Sequence, residues 1–174
     1  MMNHRTKVAV VALIGLSMLG ACNRNTESEP EPTATLTEEP ILANGMTPKE
    51  QIELRQAQLK KMGKAFKTIS DQLKSGDPDV AAVQAAAASV PVESAGMEDW
   101  FPEGTGPDSG VKTDALPIIW EDRADFEQKL ADFRTASDQL AAVAEGGDIT
   151  AIATAFQATG GACKACHDKF REED

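Results

Sequence analysis

The sequence predicts an all-α domain, an antiparallel four-helix bundle. Three observations point there. Apolar residues recur at three- and four-residue steps in four separate stretches. Helix punctuation bounds those stretches, with capping residues in front and glycine or proline behind. Alanine is abundant and tyrosine absent, a composition that favours helix over strand.

The first stretch opens on Thr47-Pro48-Lys49-Glu50, a capping box with proline at the first helical position. Ile52, Arg55, Leu59, Met62, Phe66, Ile69 and Leu73 then form a seam facing a core. Ser75-Gly76 ends it. Asp77-Pro78 opens the second helix, with Val80, Val83, Ala87 and Val90 inward and a stop near Pro91. Residues 91–120 hold prolines, glycines and both tryptophans, which predicts a long irregular crossover with a short turn around Met97–Phe101. The third helix spans Asp122–Glu145, its seam being Phe126, Leu130, Phe133, Ser137, Leu140 and Ala144, and Gly146-Gly147 terminates it. Asp148 caps the fourth, where Ile152, Phe156, Thr159, Cys163, Cys166 and Phe170 keep the period. Four amphipathic helices with one long connection make an antiparallel bundle over residues 47–174.

Residues 1–21 read as an export signal. Arg5 and Lys7 give a positive start, and Val8–Leu19 is an apolar run too short to span a bilayer stably. Leu19-Gly20-Ala21-Cys22 resembles the lipobox of bacterial lipoproteins, which would make Cys22 a lipidated N-terminus. The alternative is ordinary cleavage after Ala21, leaving a free thiol. Residues 22–46, rich in acids, threonine and proline, show no apolar period and read as a disordered, extended tether. The expected location is the periplasm, lipid-anchored to a bacterial membrane. Formal charge is −11. Losing residues 1–21 removes two cations and no acid, so nucleic acid is not an expected partner.

The chemistry concentrates in Cys163-Lys164-Ala165-Cys166-His167. Two cysteines three apart and followed by histidine are the signature of covalent c-type haem attachment. Positions i, i+3 and i+4 share a helix face, so both thiols reach one porphyrin's vinyl groups while His167 offers an axial nitrogen to the iron. Because these cysteines lie on the core stripe, the porphyrin is expected inside the bundle. A thioredoxin-like dithiol is the rival, but its motif belongs at a helix N-terminus in a βαβ setting. A structural zinc site needs four ligands, and beyond the leader only one histidine remains.

Taken together, the chain resembles cytochrome c′, the class II c-type cytochromes. The resemblance covers residues 47–171. It rests on Arg55-Gln56-Ala57-Gln58-Leu59, Trp100-Phe101-Pro102-Glu103-Gly104-Thr105, Trp120-Glu121-Asp122, and the attachment motif continued by Asp168, Phe170 and Arg171. The lipobox and tether depart from the usual family pattern. The resemblance implies one covalent haem c, open on one side, with Leu59 at the position that faces the iron. Leucine has no lone pair, so five-coordinate, high-spin iron is expected. Met62, a turn further on, is a candidate sixth ligand in a low-spin electron carrier, although seam methionines usually fill the core.

Arg55, a cation on an apolar seam, needs an anion or a route to solvent. In the family the matching arginine meets a haem propionate. Arg171 is placed by the resemblance beside the proximal histidine, and the competing reading is a solvated charge on a fraying terminus. Phe101 matches a distal aromatic. Lys60, Lys61, Lys64 and Lys67 make the first helix basic, which suits a solvated face, an acidic redox partner or a second subunit in a homodimer. The expected function is to bind nitric oxide and carbon monoxide, with some electron exchange. No acid, base or nucleophile set is visible, so enzymatic turnover is not expected.

Overall fold

The computed structural model describes residues 40–173. The expected leader, Cys22 and the expected tether up to residue 39 lie outside the described residues. Four long helices, α1 (Pro48–Leu73), α2 (Val80–Glu93), α4 (Arg123–Glu145) and α5 (Ile149–Phe170), form the bundle, with a one-turn helix α3 (Ile118–Glu121) before α4. Neighbours pack in the order α1, α2, α4, α5, and the ring closes only weakly, because α1 and α5 touch little. That loosely closed side is where the site forms.

Local sequence explains the boundaries. The Thr47 hydroxyl accepts the Glu50 amide at 3.2 Å and the Glu50 carboxylate accepts the Thr47 amide at 2.8 Å, a complete capping box. The hydrogen bonds from Thr47 hold the Glu50 carboxyl below its usual range. Asp148 accepts the amides of Thr150 and Ala151 at the start of α5.

Two expected boundaries of α2 were displaced. Its cap is Asp79, not Asp77, with the carboxylate accepting the Ala82 amide at 3.0 Å. The helix also passes through Pro91 to Glu93. Proline's fixed φ suits a helix, so near a terminus it forfeits the bond to the preceding turn without stopping the chain.

The core falls into two parts. One plug joins Ile69, Val83, Ala87, Leu140, Ala144 and Ile152, all essentially sealed from solvent. Each large side chain there contributes about 1.5–3 kcal/mol by burial. The other part collects Met62, Trp100, Phe101, Phe126, Leu130, Phe133 and Phe170, with Cys163 and Cys166 packed against it. Every seam residue expected on α4 is buried.

The crossover is built, not loose. Short 3₁₀ turns occupy Met97–Trp100 and Pro107–Ser109. Trp120 donates its indole N–H to the carbonyls of Phe101 and Pro102, at 3.2 and 3.1 Å. Arg123 donates to the Phe101 and Glu98 carbonyls, both at 2.9 Å. A Cβ at Gly106 would meet the Trp120 ring at 3.0 Å and the Asp108 carboxylate at 2.9 Å, so the backbone approaches this tryptophan closely where glycine stands.

Residues 42–46, assigned from sequence to the tether, carry a turn in which the Leu42 amide donates to the Met46 carbonyl at 2.8 Å. No helix among the described residues is long and apolar enough to cross a membrane.

Candidate functional site

Between α1 and α5, with the crossover along one edge, lies a mostly apolar cleft of about 830 Å³ including its open mouth. A mostly apolar lining with a few polar groups is that of a small-molecule or cofactor site. The folded chain gathers there all eight site residues proposed from sequence within the described region. Arg55, Leu59 and Met62 come from α1, Phe101 from the crossover, Cys163, Cys166 and His167 from α5, and Arg171 from the segment just after it.

The two thiols and the imidazole follow helical spacing along one edge of the cleft. Burial pushes the Cys163 and Cys166 thiols up to about 11. A dithiol oxidoreductase needs the opposite, a thiol lowered toward neutrality at a helix N-terminus. These cysteines instead sit in the last two turns of α5, so the dithiol reading is set aside. Burial, then the Arg171 charge, lowers the His167 imidazole below its ordinary value. A neutral ring nitrogen is what metal ligation requires. Among the described residues no three His, Cys, Asp or Glu side chains cluster to hold a metal ion by themselves.

Arg55 is the anomaly of the cleft wall. It is only 2% exposed, which excludes the route to solvent weighed from sequence. Its guanidinium donates to the Thr105 hydroxyl at 3.0 Å, the Thr105 carbonyl at 2.8 Å and the Thr113 hydroxyl at 2.6 Å. It also stands 4.8 Å from the Phe101 ring centroid. Desolvation lowers it to about 10, so it stays charged at neutral pH. All these partners are neutral, and no described carboxylate pairs with it. A buried cation held only by neutral acceptors and lining the cleft is suited to an anionic group within it.

The aromatic wall is continuous. Phe101 meets Phe126 edge-on at 5.0 Å, and Phe126 meets Phe170 edge-on at 5.1 Å. Met62 is buried among these groups, whereas Leu59 keeps 37% exposure at the cleft. The fraying terminus considered for Arg171 is not found. Ala115 and Arg171 form an isolated antiparallel bridge, the Leu116 amide donates to the Phe170 carbonyl at 3.0 Å, and the Glu172 amide to the Asp114 carbonyl at 2.8 Å. Arg171 also pairs with Asp114 at 3.7 Å.

Four further residues shape the cleft wall in ways the sequence does not show. Thr105 and Thr113 hold Arg55, Arg123 fixes the Phe101 backbone, and Gln51 donates to the Trp100 carbonyl at 3.2 Å. One signal was available. Gln51 is 2% exposed one turn before Arg55, and two polar residues on an apolar seam demand partners from elsewhere.

The family model described as cytochrome c′ matches residues 50–171. The chain belongs to the cytochrome c′ family. Cytochrome c′ of Allochromatium vinosum is 37% identical over 132 residues, 75% of this chain and 85% of that protein. A solved cytochrome c′ with ligand-controlled dimer dissociation superposes with a TM-score of 0.67 at 36% identity, covering 74% of this chain and 99% of that one. The nitric oxide complex of a leucine-to-alanine variant of the Alcaligenes xylosoxidans protein superposes at 0.65 with 32% identity, covering 73% and 97%. The four-helix bundle is thus the cytochrome c′ bundle, and covalently attached haem c is the family's cofactor.

The residues present fit that cofactor: paired thiols and an imidazole on one edge, aromatic walls, and a buried guanidinium suited to a carboxylate. Replacing Arg55 by methionine is expected to lower the midpoint potential of the holoprotein in a redox titration. The sign follows from charge, since a nearby cation favours reduced iron. Stability should fall by about 1–3 kcal/mol as the Thr105 carbonyl and two hydroxyls lose their donor, read from denaturant unfolding.

Proposed function

We propose that this cytochrome c′ holds five-coordinate, high-spin haem and binds small uncharged gases, above all nitric oxide and carbon monoxide. Cys163 and Cys166 would form the thioethers, His167 would ligate the iron and Arg55 would face a propionate. Arg171 would neighbour the proximal histidine. When bound, the haem supplies an iron centre that takes a diatomic ligand.

The observation that carries the reading is Leu59. A hydrocarbon side chain that cannot ligate is the part of the α1 seam left exposed in the cleft, while Met62 is packed into the core. Leu59 and Phe101 crowd the approach and present no hydrogen-bond donor, which disfavours polar adducts. The nitric oxide complex of the Alcaligenes relative supports gas binding.

The test is optical. The reduced holoprotein should show a high-spin spectrum that shifts on adding carbon monoxide or nitric oxide. A low-spin spectrum indifferent to carbon monoxide would overturn it. It would favour the electron-carrier alternative, in which Met62, also a lining residue, or another residue is the sixth ligand. Met62→Ala would then change the spin state.

The same proposal places the protein in the periplasm, anchored through a lipidated Cys22. Cys22→Ser should abolish incorporation of labelled palmitate. Electron exchange with a redox partner is a secondary role. Self-association would use the uncharged outer stripe of α2, where Ala81, Ala85, Ala88 and Val92 are exposed.

A further inference from the structure

The charge of this chain is unevenly distributed, and the imbalance falls at the mouth of the cleft. Between Leu54 and Ser70, α1 carries five cations and no acid, in a chain of net charge −11. Gln56 lines the cleft, and Lys60 and Lys64 follow it at successive four-residue steps. The three therefore make one ridge running from the cleft wall onto the outer surface.

A second element adds to the ridge. The Gln56 amide donates to the Lys112 carbonyl at 3.3 Å, which fastens the crossover to α1 beside the mouth. Lys60, Lys64 and Lys112 are all exposed, and none pairs with a described carboxylate. Asp114, which lines the cleft, is paired with Arg171 at 3.7 Å, and Glu53, ahead of the ridge on α1, is paired with Lys49 at 3.9 Å.

We propose that Lys60, Lys64 and Lys112 form a docking rim for an acidic redox protein that delivers single electrons at the cleft mouth. The occupant follows from charge. Two acidic proteins repel at long range, so close approach is favourable only where the local field is reversed, and the rim supplies that reversal at the open edge. A second copy fits poorly, since a two-fold contact here would bring the same lysines against each other. The uncharged stripe of α2 offers a copy no such penalty. In the exchange one electron leaves the partner's reduced centre and converts ferric to ferrous haem, with no bond made or broken. The proposal rests on the haem reading above.

The experiment follows reduction of the full-length ferric holoprotein by a reduced acidic [2Fe–2S] ferredoxin, in stopped flow, across ionic strength. Attraction makes the second-order rate fall with salt, by about tenfold from low to high ionic strength. The K60Q/K64Q/K112Q variant should lose that dependence or show a rate that rises with salt, as two net-negative bodies would. Its carbon monoxide difference spectrum should match the parent, which separates failure of the rim from failure of the gas-binding reading. A parental rate that rises with salt, or a variant that behaves like its parent, overturns the proposal. So does loss of dimer in the variant by sedimentation, or a defect confined to phosphatidylglycerol vesicle binding in a Cys22→Ser background. Those outcomes would give the rim to a second copy or to lipid.

Discussion

Replacing both Cys163 and Cys166 by alanine is expected to leave no haem on the denatured chain. Either replacement alone should keep the peroxidase stain on a denaturing gel, because one thioether still survives unfolding. The pair is decisive because nothing else described in the cleft offers a covalent bond. His167 alone gives a coordinate bond, which denaturation breaks. The thiols are held protonated by burial, near 11, so neither is an exchange nucleophile at neutral pH. The apolar surroundings that make them poor redox groups are those a porphyrin needs. A haem that survives denaturation in the double variant would relocate the attachment site and dissolve the assignment of the cleft.

Phe126→Ala should be the most damaging single change in the core. This ring is 2% exposed and bridges Phe101 and Phe170 in two edge-on contacts, so its loss undoes both. Truncating a buried phenylalanine costs about 3–5 kcal/mol, including the cavity left behind. For a domain of this size that lowers Tm by roughly 10–20 °C. Calorimetry reads it directly. Phe126→Leu, which refills much of the space, should recover more than half. A shift below a few degrees would show that the rings are not one packed unit.

Much of this molecule is legible in its order of residues because the relevant forces are local. Thr47 and Glu50 lie three apart and cap each other, so the start of α1 can be read directly. The α4 seam repeats with the helix, and all six of its expected residues are buried. Attachment chemistry is legible for the same reason, as Cys163, Cys166 and His167 share one helical face.

What escapes is whatever depends on distant backbone. A cation on an apolar seam needs a partner, yet the acceptors of Arg55 lie 50 and 58 positions away, and one is a carbonyl that every residue possesses. Arg123 and Trp120 shape the crossover by donating to carbonyls in the same way. No side-chain pattern encodes such contacts. The stop expected at Pro91 comes two residues early: the proline forfeits its own bond to the preceding turn, but the Ser94 amide still reaches the Val90 carbonyl and the helix runs on to Glu93.

The clasp between Asp114–Leu116 and Phe170–Glu172 bears on how the protein is made. Every other wall of the cleft precedes Cys163 in the chain, and the clasp residues Phe170–Glu172 come just over two turns after it, by about 3.6 residues per turn. A growing polypeptide that has emerged only through α4 lacks both thiols and the imidazole that would seize a pigment. Loading must follow the arrival of α5, and the knot that shuts the furrow is tied immediately afterwards. A fragment that stops before that helix would be colourless.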